Sequence, residues 1–362
     1  MSKKIKILYT IPNFDTAGSG KVLYDLAKEL DKERFDVIIA CSNDKGSFFK
    51  EVEALGLPIF IRPITIPIKP YFSFLFRLRK NVQFIKDNKI DIVHSWHWSS
   101  DWTEVLAARI GGAKFVYTKK AMTWGNIHWK IKSYLSNFII TINEEMKNYF
   151  PNKKAQKLIP LGLDTNYYSP EHFKTKQHEG EFKIITVANL VPVKGIEVLI
   201  DSVVALNNPN IKLVILGDDR SDYAVVLKRN VEDLNLNNRI EFLGKHTDVR
   251  PFIAQSDLYV IPTLNEGRKE GMPMALVEAM SMGVPVLGSD ISGINYVLND
   301  FRDYLFEASN SHKLTEKIDF FYKLSDSERN KIGNDLRCYV LKNFSMIDFI
   351  NNHQKLYTKL IR

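Results

Sequence analysis

Two carboxylates in the run DLYVIPTLNEGRKEGMPMALVEAMSMGVPVLGSD, Asp257 to Asp290, have a spacing that could do chemistry: Glu270 and Glu278, with seven residues between them. Were the whole span helical, they would lie ~12 Å apart at ~1.5 Å per residue, close to the length of a sugar nucleotide. A carboxylate accepts hydrogen bonds from hydroxyls and repels phosphate. The pair therefore suits a ligand with hydroxyls at both ends and a diphosphate between them. Pro273 suits a first helical position, which would leave the amides of Met274, Ala275 and Leu276 free to hold an anion. The same residues also fit an ordinary helix start with one solvated and one satisfied Glu, because acids are common there.

Other residues suggest anion binding. Lys194-Gly195 precedes an amphipathic helix, so a cation and a helix N-terminus converge on one spot. In IPNFDTAGSGK, Gly18 and Gly20 would let backbone amides approach an anion where the first strand passes into the first helix. This is not a P-loop, since no Ser or Thr follows Lys21, and it is not G-x-G-x-x-G, since position 23 is Leu. His94, Trp96, His97 and Trp98 follow the apolar pair Ile92-Val93, at the end of a strand where α/β proteins hold ligands. His97 there would reach an acceptor or a sugar, and a packed aromatic cluster fits the same residues. No Asp-x-Asp pair is present, and Asp218, Asp219 and Asp222 have the wrong spacing for one. No metal and no cofactor are expected.

The elements that must position these residues alternate. Apolar runs at Ile5–Tyr9, Val37–Ala40, Pro58–Ile61 and Leu258–Ile261 read as strands, and VLYDLAKEL, WTEVLAARI and the Pro273–Met282 run read as helices. That is the doubly wound α/β pattern. A length of 362 residues suggests two domains. The polar stretch SPEHFKTKQHEGE reads as the linker, giving domains at 1–168 and 169–345.

The run EGMPMALVEAMSMGVPVLGSD resembles the E-x7-E region of retaining glycosyltransferases of family 4. The resemblance implies the GT-B fold: two Rossmann-like doubly wound domains facing a central cleft, with the C-terminal helix, about 346–362, packed back on the first domain. By that resemblance Glu270 contacts the transferred sugar and Glu278 the ribose, while Gly271 and Met272 act as backbone donors near the sugar and Pro273 and Met274 open the helix. Lys194 matches the Lys of G-R-x-x-x-x-K-G that holds the diphosphate. Asn189 stands at the Arg of that motif, and Arg268 or Lys269 could compensate. Gly18 and Gly20 fall at the family's Gly-rich loop. Gly217 gives room near the nucleotide, and Leu243, Lys245 and His246 line the base pocket. Lys120 stands where the family's T-x-H carries its His; either the lysine supplies positive charge there, or the register shifts by a few residues and His97 or His128 serves. Glu266-Gly267 offers a competing register, with eleven residues between Glu266 and Glu278.

The implied function is metal-independent, retaining transfer of a hexose-type sugar from a nucleotide diphosphate sugar, UDP-linked by expectation. The acceptor is a glycan or lipid-linked molecule in bacterial surface polysaccharide or glycolipid synthesis. Departures at Asn189 and Lys120 leave two alternatives open: a catalytically silent nucleotide-sugar-binding protein, and a nucleotide-sugar epimerase of the same fold.

Charge is unevenly placed. Residues 1–170 hold 26 Lys and Arg against 16 Asp and Glu, and the remainder 24 against 26. A basic first half points to an acidic partner. Residues 69–86 interleave Lys69, Arg77, Arg79, Lys80 and Lys86 with Tyr71, Phe72, Phe74, Phe76 and Phe84. Such a stretch suits an anionic membrane surface, or a core-packed helix with a solvated basic face. No nucleic-acid motif accompanies it, so no nucleic acid is expected. No run of eighteen apolar residues exists, and the two cysteines, Cys41 and Cys338, form no cluster. The expected location is the cytoplasm, peripheral at the inner face of the membrane.

Overall fold

The computed structural model describes residues 3–14, 17–46, 48–122, 124–174, 180–267 and 270–362. Two compact units form, Met1–Gly162 with Ile347–Arg362, and Leu163–Met346. The division falls slightly before the expected 168. Leu163 bridges Ser345 and donates its amide to the Phe344 carbonyl at 2.9 Å, which ties the segment after Gly162 to the second unit.

The first unit is built on β1 (Ile5–Ile11), β2 (Phe35–Cys41), β3 (Ile59–Ile61), β4 (Ile92–Ser95), β5 (Lys114–Lys119), β6 (Phe138–Thr141) and β7 (Gln156–Leu158). They lie parallel in the order β3-β2-β1-β4-β5-β6-β7. Helices α1 (Ala17–Glu29), α2 (Phe49–Glu53), α3 (Phe74–Asp87), α4 (Thr103–Gly111) and α5 (Ile127–Leu135) make the crossovers. Helices cover both faces of a parallel sheet, so the middles of its central strands are apolar; Ile7, Leu8 and Tyr9 are wholly buried.

Gly18 and Gly20 lie within the first turn of α1 rather than in a loop before it. The helix starts early because its opening packs over Phe14: a Cβ at Gly20 would lie 3.2 Å from that ring.

The second unit repeats the plan with β8 (Phe182–Val187), β9 (Ile211–Leu216), β10 (Ile240–Gly244), β11 (Leu258–Ile261), β12 (Val286–Ser289) and β13 (Leu305–Phe306). Its parallel order is β10-β9-β8-β11-β12-β13. The helices are α6 (Ile196–Leu206), α7 (Asp222–Asp233), α8 (Arg250–Ala254), α9 (Met274–Ser281), α10 (Ser292–Val297), α11 (Ser311–Lys323) and α12 (Asp326–Asn343). Strand order reverses between β8 and β11, where an open α/β sheet leaves a crevice at its carboxyl edge.

The last helix, α13 (Met346–Ile361), returns to the first unit. The Tyr357 hydroxyl lies 3.1 Å from that of Tyr9 and 2.6 Å from His94 Nδ1, so an aromatic and polar latch fixes the helix to β1 and β4. Among the described residues no helix is long and apolar enough to cross a membrane.

Candidate functional site

The reversal point of the second sheet gathers the residues with the sharpest chemistry. After β8 the chain passes Asn189 and makes a single 3-10 turn, Pro192–Lys194, before α6. Gly195 caps α6 at φ +61°, and a Cβ there would lie 2.2 Å from the Pro262 carbonyl oxygen. Only a residue without a side chain allows this turn to press on the segment leaving β11. The Leu264 amide adds a hydrogen bond to the Val193 carbonyl at 2.9 Å. Lys194 is thereby aimed at Glu270: its Nζ donates to Oε1 in an ion pair whose side chains keep 23% and 17% of their exposure. Glu266 is exposed, so of the two registers it is Glu270 that meets the cation.

Glu270 is fixed from behind by α10. A Cβ at Gly293 would lie 2.4 Å from the Glu270 carbonyl oxygen and 2.7 Å from that of Gly271. Residues 270–273 are not helical, so the spacing expected of a continuous helix does not apply to the two acids. Pro273 is the N-cap of α9, with extended φ −77° and ψ 102°, rather than its first helical residue. The Leu276 amide donates back to the Pro273 carbonyl at 3.2 Å, which leaves the amides of Met274 and Ala275, not three, without an intrahelical acceptor. Gly271, Met272 and Pro273 are buried beneath this start, and Glu278 is half-buried one turn in.

Tyr259 feels the charge of both acids, and sequence reasoning missed it because it lies inside an apolar strand. It is fully buried; burial first, then Glu278, then Glu270 push its phenol above the ordinary value. The phenol stays protonated and donates to the Val187 carbonyl at 3.4 Å. At the far end of α9 the Arg337 guanidinium of α12 donates to the carbonyl of Ser281 and, at 3.1 Å, to that of Tyr168. A cation at the carboxyl end complements the dipole of the helix whose amino end faces Glu270.

The neighbouring strand exits line up beside this site. The Ala188 amide donates to Leu216 at 3.0 Å and the Gly217 amide to Gly244 at 3.0 Å, which ties the ends of β8, β9 and β10 together. Asn189, Lys245 and His246 are exposed there. His246 Nε2 lies 3.0 Å from the Leu243 carbonyl, with its ring 4.5 Å from Phe252. Arg268 and Lys269 lie outside the described residues. Among the described residues no three His, Cys, Asp or Glu side chains gather as a metal site would.

Gly18, Gly20, His97 and Lys120 belong to the first unit. Lys120, just past β5, donates to the Trp96 carbonyl at 2.5 Å and lies 5.3 Å from the Trp96 ring. His97 is 6% exposed, and burial is the main cause lowering its pKa, which favours the neutral ring. Thr118, the Thr of the T-x-K sequence, is engaged by His94 Nε2 at 2.7 Å. Sequence reasoning also missed Glu104, wholly buried in α4, which accepts hydrogen bonds from Thr10 and, at 2.6 Å, from Ser95. An acid in the buried stripe of an amphipathic helix was the available signal.

Comparison with known proteins adds to this geometry. Residues 169–337 match the family described as "Glycosyl transferases group 1", and residues 16–167 match "Glycosyltransferase Family 4". The chain is 26% identical to the UDP-Gal:alpha-D-GlcNAc-diphosphoundecaprenol alpha-1,3-galactosyltransferase of Escherichia coli, over 99% of this chain and 98% of that one. It is 24% identical to the capsular polysaccharide biosynthesis glycosyltransferase CapH of Staphylococcus aureus, over 84% and 86%. Among solved structures, a glycosyltransferase from Rickettsia africae ESF-5 superposes with a TM-score of 0.88 at 20% identity, covering 99% of both chains. Anabaena Alr3699/HepE in complex with UDP and glucose gives 0.81 at 19%, covering 98% and 99%.

Proposed function

The chain belongs to glycosyltransferase family 4 and has the GT-B fold, and from that premise we propose that it moves a hexose-type sugar from UDP to a glycan or lipid-linked acceptor with retention of configuration. That it is a glycosyltransferase of the kind used in polysaccharide or glycolipid synthesis follows from its relatives; the donor, acceptor and stereochemistry are our reading. The observation that carries it is the Lys194–Glu270 ion pair beside the open amides of α9.

In this reading the donor's diphosphate takes over Lys194 and the amides of Met274 and Ala275, while hydroxyls of the sugar take over Glu270. Glu278 receives the ribose hydroxyls, and Gly271 and Met272 offer backbone to the sugar. The bond between C1 and the phosphate oxygen breaks, and the electron pair leaves with UDP. The acceptor oxygen bonds to C1 on the same face, and its proton passes to the departing phosphate. Negative charge grows on that phosphate, and a preplaced cation with a helix amino end stabilises it without a metal. Asn189, Gly217, Leu243, Lys245 and His246 are assigned to the nucleotide side. Gly18, Gly20 and Lys120 are assigned to the sugar and diphosphate, and His97 to the acceptor.

The Escherichia coli relative, named for UDP-Gal and a diphosphoundecaprenol acceptor, supports a UDP-linked donor and a lipid-linked acceptor. We place the protein at the inner face of the membrane on the same grounds.

A donor panel read by thermal shift and by product formation tests the proposal. A nucleotide sugar at ~100 times its dissociation constant stabilises by ~2.7 kcal/mol. A UDP-hexose is expected to raise the melting temperature and to be hydrolysed slowly without acceptor. No shift with any UDP-sugar would overturn the donor assignment.

A further inference from the structure

We propose that the first turns of α3 are a docking surface for an anionic lipid bilayer. The proposal deepens the membrane placement above but uses none of the donor chemistry. Residues 54–86 contain six Lys and Arg and no Asp or Glu. Within them the 3-10 turn Tyr71–Ser73 runs directly into α3. The inner face of α3 packs Leu78, Val82, Phe84 and Ile85 into the core of the first unit. A helix that has satisfied its core on one side should be polar on the other. Here the outer side is apolar again: Phe72 is 91% exposed, Leu75 73%, Tyr71 68% and Phe76 63%. Phe72, Leu75, Phe76 and Arg79 follow at spacings of three, four and seven residues from the first, so they share one stripe.

A monomer rarely leaves such a contiguous apolar group in water, which calls for a partner. Charge selects which partner. Lys69, Arg79 and Lys80 rim the stripe, and Lys80 Nζ lies 4.9 Å from the Phe76 ring centroid. A hollow of about 400 Å³ lined by Arg62, Arg77 and Lys80 opens on the flank of α3. Asn81 holds the Arg62 guanidinium at 2.7 Å, and the carbonyls of Lys69 and Pro70 hold that of Arg77 at 3.2 and 3.0 Å, so both cations are fixed on this flank. Aromatic rings at the headgroup boundary, long cations around them and a basic hollow on the flank are complementary to an anionic leaflet. A second copy of this chain would bring like charges together, so a self-association surface fits less well.

The test is sedimentation of the full chain with vesicles of phosphatidylcholine, with and without about one-third phosphatidylglycerol, alongside donor hydrolysis in free solution. The wild type is expected to sediment with the anionic vesicles and to be released by salt. Phe72→Ser/Phe76→Ser is expected to stay in the supernatant, and each of Lys69→Gln and Lys80→Gln to weaken partition about fivefold. These residues lie outside the donor site, so hydrolysis is unchanged, which separates a failure of this surface from a failure of the transfer reading. Wild type that ignores anionic vesicles, or a double variant that binds them equally well, would overturn the proposal. So would a wild-type dimer in free solution that the double variant dissolves.

Discussion

Gly293 and Glu270 are in backbone contact: a Cβ at Gly293 would sit 2.4 Å from the Glu270 carbonyl oxygen. The carboxylate that meets Lys194 is therefore positioned by a glycine on α10, beyond the run that ends at Asp290. Gly293→Ala should force the segment outward at an overpacking cost of ~1–3 kcal/mol and lower turnover well below the melting temperature. Gly333→Ala is the control. Its Cβ would clash at 1.9 Å with the Gly283 carbonyl, so stability should fall without a comparable loss of rate per folded molecule. Equal rate losses in both variants would mean that Glu270 is not specially held.

Lys194→Ala and Glu270→Ala should each lower turnover by ~10²–10³, the scale of losing a preplaced electrostatic contact. Because the pair is partly solvated, the melting temperature should change little, by less than ~1 kcal/mol in stability. Rates measured with saturating UDP-sugar should also survive added chelator. Full activity in either variant, or its abolition by chelator, would sink the assignment.

Asn189 offers a gain-of-function test. It is exposed where β8 ends, and the proposed function sets it on the nucleotide side, where the resemblance expects an Arg. Asn189→Arg would add a planar, permanently charged donor, and a charge-assisted hydrogen bond contributes ~1.5–3 kcal/mol. UDP affinity by calorimetry should rise about tenfold or more. Unchanged affinity would place Asn189 away from the phosphates.

Acid should loosen the α13 latch. Burial lowers the pKa of His353 to about 4 and that of His94 well below its usual value, with His353 and Lys120 adding to the latter. An unfolded histidine titrates near ~6.5. Between that value and about 4 the unfolded chain binds more protons, so stability falls as pH drops through this window. His353 alone accounts for ~2 kcal/mol at about pH 5. Thermal unfolding across the window should show a shallower slope for His353→Phe than for wild type. Identical slopes would remove His353 from the account.

How much was legible before the fold was known depends on the range of the interaction. Strand and helix identity followed from local periodicity, which is why β1, β4 and α9 lie close to where the pattern put them. Boundaries shifted where side chains met residues far away, as at α1, whose glycines join the helix because Phe14 lies under it. Leu276 was counted as an open amide because sequence pattern does not show that Pro273 would cap α9 in extended form.

The sequence by itself determined the family, the doubly wound elements and the presence of Lys194, Glu270 and Glu278. These rest on residue type and short spacing, which a linear chain carries. The tertiary structure alone decided that Lys194 and Glu270 pair across the sheet reversal, that both acids act on the buried Tyr259 phenol, and that Gly195 and Gly293 make room for the pair. Those are contacts between segments distant in the chain, and only closing the parallel sheet brings them together.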